Sequence, residues 1–122
     1  MTARTLDGEV AAAAVKHELA ERILRLSERG ITPGLGTILV GDDGPSARYV
    51  AMKHADAAEL GMATQDIRLA ADATSAELGA AIAQLNADPS VDAFIIQYPL
   101  PGELDYAAAM ASVLPAKDAD GQ

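Results

Sequence analysis

The chain has 122 residues, half of them apolar, and a formal charge of −9, so it is one domain with enough apolar material for a real core. The acidic balance excludes nucleic acid and anionic membrane surfaces as partners, and the absence of cysteine excludes disulfides and thiolate metal sites. No basic, apolar leader opens the chain, and no apolar run approaches the ~20 residues of a membrane span, so a soluble, cytoplasmic domain is expected.

Residues 8–29 read as an amphipathic helix. Val15, Leu19, Ile23 and Leu26 recur at helical spacing, and Gly30 with Pro33 beyond it supplies the stop. Leu35 to Val40 reads as a short buried strand, closed by Gly41-Asp42-Asp43-Gly44. Pro45 then suits the first turn of a helix whose body runs from Ser46 to Leu60 and stops at Gly61. Met62 to Leu69 alternates like a strand. Thr74-Ser75-Ala76-Glu77 is a capping box opening a helix that presents Leu78, Ala81, Ile82 and Leu85 on one side. Asn86 and Pro89 end it. Val91 to Gln97 is the most continuously apolar run and is expected to be the central strand. A last helix spans Asp105 to Leu114, before Pro115.

The order α-β-α-β-α-β-α predicts a three-layer α/β/α domain with a parallel sheet, right-handed crossovers and helices on both faces. In such folds ligands bind at the carboxyl ends of the strands. The third strand ends there in an uncharged amide, Gln97, followed by Tyr98-Pro99-Leu100-Pro101, which cannot continue a sheet. Tyr49 and Lys53 lie four apart and share a helical face. An aromatic plate, an ammonium, an amide and a carboxylate would suit a flat, amide-rich heterocycle.

Taken singly these residues are weak signals. Tyr49 and Lys53 fit ordinary helix surface, and catalytic use of Lys53 requires that it be partly desolvated. Gln97 could serve only a neighbouring loop. Tyr98 is a strand-end aromatic more readily than a lid. Asp118 and Asp120 fit solvated or turn-capping acids, with no matching acids or histidine to complete a metal site. His17 and His54 have no ligand-spaced partner. Gly34-Leu35-Gly36 precedes its strand and lacks the third glycine of a dinucleotide fingerprint.

Three ordered segments change the reading: Gly41 to Lys53 (GDDGPSARYVAMK), Ile96 to Pro101 (IQYPLP) and Pro115 to Gly121 (PAKDADG). Together they resemble the methylenetetrahydrofolate dehydrogenase/methenyltetrahydrofolate cyclohydrolase family of the FolD type, over essentially the whole chain. The resemblance implies that residues 1–122 are its folate-binding catalytic domain. The parent would oxidise 5,10-methylenetetrahydrofolate with NADP and hydrolyse the methenyl product to 10-formyltetrahydrofolate, in one-carbon metabolism and purine biosynthesis. It implies that Tyr49 stacks on folate, Lys53 is the catalytic lysine, Gln97 assists it and Asp120 holds the pterin ring, with a structural role for Asp118. No metal is implied. The family usually has an aliphatic residue where this chain has Tyr98, so a differently shaped pocket is expected there.

The resemblance further implies a following NADP-binding Rossmann domain and a last helix packed back on this one, in a homodimeric parent. Without that cover, apolar side chains of the first helix should be bare. The alternative from another class is a folate-binding or packing domain without turnover.

Overall fold

The computed structural model describes residues 2–42 and 44–119. Four helices and three strands alternate: α1 (Thr2–Glu28), β1 (Gly34–Val40), α2 (Gly44–Glu59), β2 (Ala63–Leu69), α3 (Ser75–Ala87), β3 (Ala93–Ile96) and α4 (Tyr106–Ala111), followed by a 3₁₀ turn, Pro115–Lys117. The first two helices stop the same way. At Gly30 (φ 76°) and Gly61 (φ 88°) the chain turns left-handed, where a Cβ would be strained. Paired reverse bonds then close each end: Ile31 N to Leu26 O with Gly30 N to Ser27 O, and Met62 N to Ala57 O with Gly61 N to Ala58 O. These are Schellman motifs. The expected capping box opens α3: Thr74 accepts from Glu77 N, and Glu77 accepts from Thr74 N.

The sheet is parallel, in the order β2-β1-β3. The expectation of a central third strand is therefore corrected: β1 is central. Thr37 to Val40 are 0–3% exposed because β1 has a strand on either side and a helix on either face. β3 is shorter than its apolar run. Just before the strand, Asp92 N donates to Gly34 O at 2.9 Å while the Asp92 carboxylate accepts from Gly34 N at 2.8 Å, and Gln97 N still donates to Ile38 O beyond the strand end. Ala93 and Ile95 are only half-buried, because α2 packs chiefly over β1 and β2.

From β1 the chain steps one way to β2, and from β2 it returns past β1 to β3. Right-handed crossovers in opposite directions put α2 and α3 on opposite faces. Strand alternation then sorts the side chains. Ile38, Val40, Phe94 and Ile96 join Leu78, Ile82 and Leu85 of α3 in the main apolar cluster, with Val91, Ala109 and Val113. Thr37 and Gln97 face α2, as their bonds to that helix show.

α1 docks through its C-terminal half. Ile23 is buried, but Val15 and Leu19, expected on the inward face, are 55% and 40% exposed. Val10 and Leu24 are exposed as well, and Leu26 is half-buried. Lys16 ties it to α2 by donating to Asp56 at 2.9 Å, and this bond, with the Asp56 and Glu59 charges, raises the lysine pKa.

Candidate active site

The strand order places a topological switch point between β1 and β3, whose onward connections run to opposite sides. Ligands of open α/β sheets bind at such a point, outside the carboxyl ends of the strands. Gly41 and Asp42 follow β1 there, and Gln97 to Pro101 follow β3. Gly41 adopts φ 88° and lies close to Ala71 and Pro101, so the loops behind all three strands meet around it.

Lys53 reaches this point from α2. It is half-buried, and its Nζ donates to Gln97 Oε1 at 2.7 Å. The other end of the amide is also engaged, with Nε2 donating to Tyr98 O at 3.1 Å. These two bonds fix which way the amide faces and leave an acceptor against the lysine. Tyr49 lies one turn before Lys53 on α2, 58% exposed, with its ring available to a planar ligand. Val50, fully buried, anchors that turn.

Tyr98 is 65% exposed and meets Tyr106 edge to face, with ring centroids 5.0 Å apart. It stands as a strand-end aromatic with its own support. The Tyr98–Pro99 peptide is cis.

The third segment lies along the free edge of β3. Asp118 bridges Phe94 in parallel, and Ala119 N approaches Phe94 O at 3.4 Å. Lys117 holds it there by donating to Leu85 O and Asp88 O at the end of α3, at 2.9 and 2.7 Å. Asn86 adds bonds to Ser112 O and from Leu114 N. The role of Asp118 visible here is this backbone bridge. Asp120 lies outside the described residues.

The structure thus brings Lys53 and Gln97 into contact, with Tyr49 on the same helix, from positions 44 residues apart in sequence. It also shows residues that sequence reasoning missed. His54 is bonded to Thr37, and Thr37 to Asp66, beneath the same helix. Their only sequence signals are a threonine inside a buried strand and an aspartate whose pairing depends on the register. His17 pairs with Glu21 on the exposed face of α1. Among the described residues no group of three or more His, Asp or Glu could hold a metal ion. Among the described residues no helix is long and apolar enough to cross a membrane.

The family model for "Tetrahydrofolate dehydrogenase/cyclohydrolase, catalytic domain" matches residues 6–120. The chain belongs to that family. The bifunctional protein FolD of Syntrophotalea carbinolica is 50% identical over 121 residues, covering 99% of this chain and 42% of the relative. The crystal structure of bifunctional FolD from Campylobacter jejuni matches with a TM-score of 0.92 and 37% identity, over 95% of this chain and 41% of that one. FolD from Trypanosoma brucei, solved with NADP cofactor and an inhibitor, matches with a TM-score of 0.87 and 34% identity, over 91% and 38%. The chain spans about two fifths of the length of these relatives. Of the three segments singled out in the sequence, Gly41 to Lys53 and Ile96 to Pro101 meet at the switch point, and the described part of the third lies along the free edge of β3.

Proposed function

We propose that this chain is the folate-binding catalytic part of a cytoplasmic enzyme that oxidises 5,10-methylenetetrahydrofolate with NADP and hydrolyses the methenyl product to 10-formyltetrahydrofolate. The observation that carries the reading is the 2.7 Å bond from Lys53 Nζ to Gln97 Oε1 at the switch point. In the hydrolysis, water attacks the methenyl carbon between N5 and N10 and loses a proton. The adduct opens by breaking the bond to N5, which takes up a proton while the hydroxyl gives up its own to become the carbonyl, and the formyl group remains on N10. Lys53 relays these protons. Gln97 occupies one Nζ hydrogen and so orients the amine toward the substrate. Tyr49 stacks on the folate ring, and Asp120 accepts from the donor edge of the pterin through charge-assisted bonds.

The described residues do not fit NADP. Gly34 and Gly36 lie within β1, and the turn between β1 and α2 carries Asp42 and Asp43 where a pyrophosphate would need donors. The cofactor would be held by sequence outside this chain, in a homodimeric parent, and no step is routed through it here. NADP takes part only in the oxidation, so this misfit leaves the hydrolysis untouched; the second reading is a folate-binding domain that does not turn over by itself.

Lys53→Met keeps the long stem and removes the transferable proton. It should lower methenyltetrahydrofolate hydrolysis by ~10²–10⁴-fold while folate binding by calorimetry is spared. Hydrolysis near the parental rate would make Lys53 a surface lysine. Asp120→Asn is nearly isosteric and should weaken folate binding by roughly ten- to a hundredfold, since a bond to a charged acceptor contributes about 1.5–3 kcal/mol. An unchanged Kd would assign Asp120 to turn structure. Folate binding with no hydrolysis by the parental 122-residue chain would establish the second reading for the isolated domain.

A further inference from the structure

The inward stripe of α2 is made of small side chains. Ser46, Val50 and Ala57 are buried, and the apolar part of that packing is non-directional. Between them stands His54, its side chain 18% exposed, next in sequence to Lys53. Its Nε2 lies 2.7 Å from Thr37 Oγ1 on the central strand. Thr37 is fully buried, and its hydroxyl donates to Asp66 Oδ1 at 3.2 Å. A hydroxyl has one proton to give, so with that proton on Asp66 the bond to His54 must be donated by the imidazole. Asp66 sits opposite Thr37 in the register of β1 and β2, and its other oxygen accepts from Arg68 Nε at 2.8 Å. His54 and Asp66 are 3.9 Å apart directly, so Thr37 is the link. A single line of hydrogen bonds therefore runs from α2 through β1 to β2.

Hydrogen bonds weaken steeply with misalignment, so this line resists rotation of α2 where apolar contacts would not. Rotation matters to the neighbouring residue. Turning the helix by about 10° sweeps the end of an extended lysine side chain through roughly 1 Å. A further polar tie on α2, Lys16 to Asp56, joins side chains 44% and 50% exposed, and such surface pairs contribute little.

We propose that His54, acting through Thr37 and Asp66, is a positioning residue that sets the rotation of α2 and so holds Lys53 Nζ against Gln97. The placement of the amine is independent of the proposed reaction. Its effect on turnover rests on that reading.

The experiment compares the parental chain with His54→Leu, His54→Gln, Thr37→Val and the double variant His54→Leu/Thr37→Val. Glutamine restores a donor at about the reach of Nε2, and valine keeps the shape of threonine without its hydroxyl. Lys53 acylation by a small amine-reactive ester is followed by mass spectrometry, with Lys117 as internal reference, where circular dichroism shows every variant folded. His54→Leu and Thr37→Val should each raise Lys53 labelling by about threefold or more with Lys117 unchanged, and the double variant should go no further than either single one. His54→Gln should return labelling close to the parental rate. Methenyltetrahydrofolate hydrolysis should lose about tenfold or more in kcat with little change in KM, as expected when a reacting group is misplaced by about 1 Å.

Unchanged Lys53 labelling in folded His54→Leu and Thr37→Val chains, whatever happens to Tm, would overturn the proposal and leave the line as a stability feature. Shifted labelling rescued by glutamine, in chains of which none hydrolyses the substrate, would uphold the positioning role and count against the proposed reaction.

Discussion

The two faces of this sheet are built from different materials. On the α3 side Ile38, Val40, Phe94 and Ile96 meet Leu78, Ile82 and Leu85 in a continuous apolar layer. On the α2 side the central strand presents Thr37, the helix answers with Ser46, Lys53 and His54, and β2 contributes Asp66 and Arg68. Apolar burial is strong and non-directional, and hydrogen bonds contribute less but fix orientation. One face carries the continuous apolar layer, and the other holds the Lys53 amine at a defined place.

The contrast should break most sharply at Phe94, which is 1% exposed in the apolar layer. Phe94→Ala should cost about 3–5 kcal/mol in urea unfolding, enough to compromise the fold of a domain this size. Gly34→Ala tests how closely β1 approaches the loop before β3. A Cβ there would fall 1.8 Å from Ser90 O, a backbone atom that cannot swing aside. We expect a loss at the upper end of the ~1–3 kcal/mol seen for overpacking. A mild effect would mean that the Ser90 loop yields easily.

Thr74→Ala removes the capping box on the apolar side and should cost about 1 kcal/mol while leaving the amine labelling of Lys53 unchanged. Altered labelling would show that the two faces are not separable. The smallest effect concerns Asp88, whose pKa is lowered by hydrogen bonds from the Ser90 hydroxyl and then from Ser90 N. Its contribution is complete above the ordinary carboxylate pKa and is lost as pH falls through the lowered folded value. Amide exchange at Ser90, corrected for its intrinsic pH dependence, should therefore lose protection below that point. Ser90→Ala should raise the Asp88 pKa toward the ordinary value, as followed by carboxyl NMR.

The apolar face was legible in the sequence because burial leaves a periodic trace. Leu78, Ala81, Ile82 and Leu85 announced α3 with its cap, and all four are buried. The contact between Lys53 and Gln97 was anticipated through the family resemblance, because helical and strand spacing alone do not show which distant residues meet. Strand order was not legible. Apolar continuity from Val91 to Gln97 suggested a central strand, yet centrality depends on the direction of each crossover, which local pattern does not encode. His54 was missed for a related reason. Its partners come from β1 and β2, and the pairing of Thr37 with Asp66 exists only once the register is set.

β2 has one further consequence, for behaviour at high concentration. Among the described residues it pairs only with β1, so its outer backbone is a potential template for another chain. Four of its seven residues, Thr64, Gln65, Asp66 and Arg68, are polar, and the two charged ones also close the hydrogen-bond line beneath α2. The groups that would steady the lysine thus double as gatekeepers against edge-to-edge aggregation. Selection for solubility and selection for catalytic geometry would then fall on the same side chains, so that an apolar replacement at Asp66 or Arg68 harms both at once.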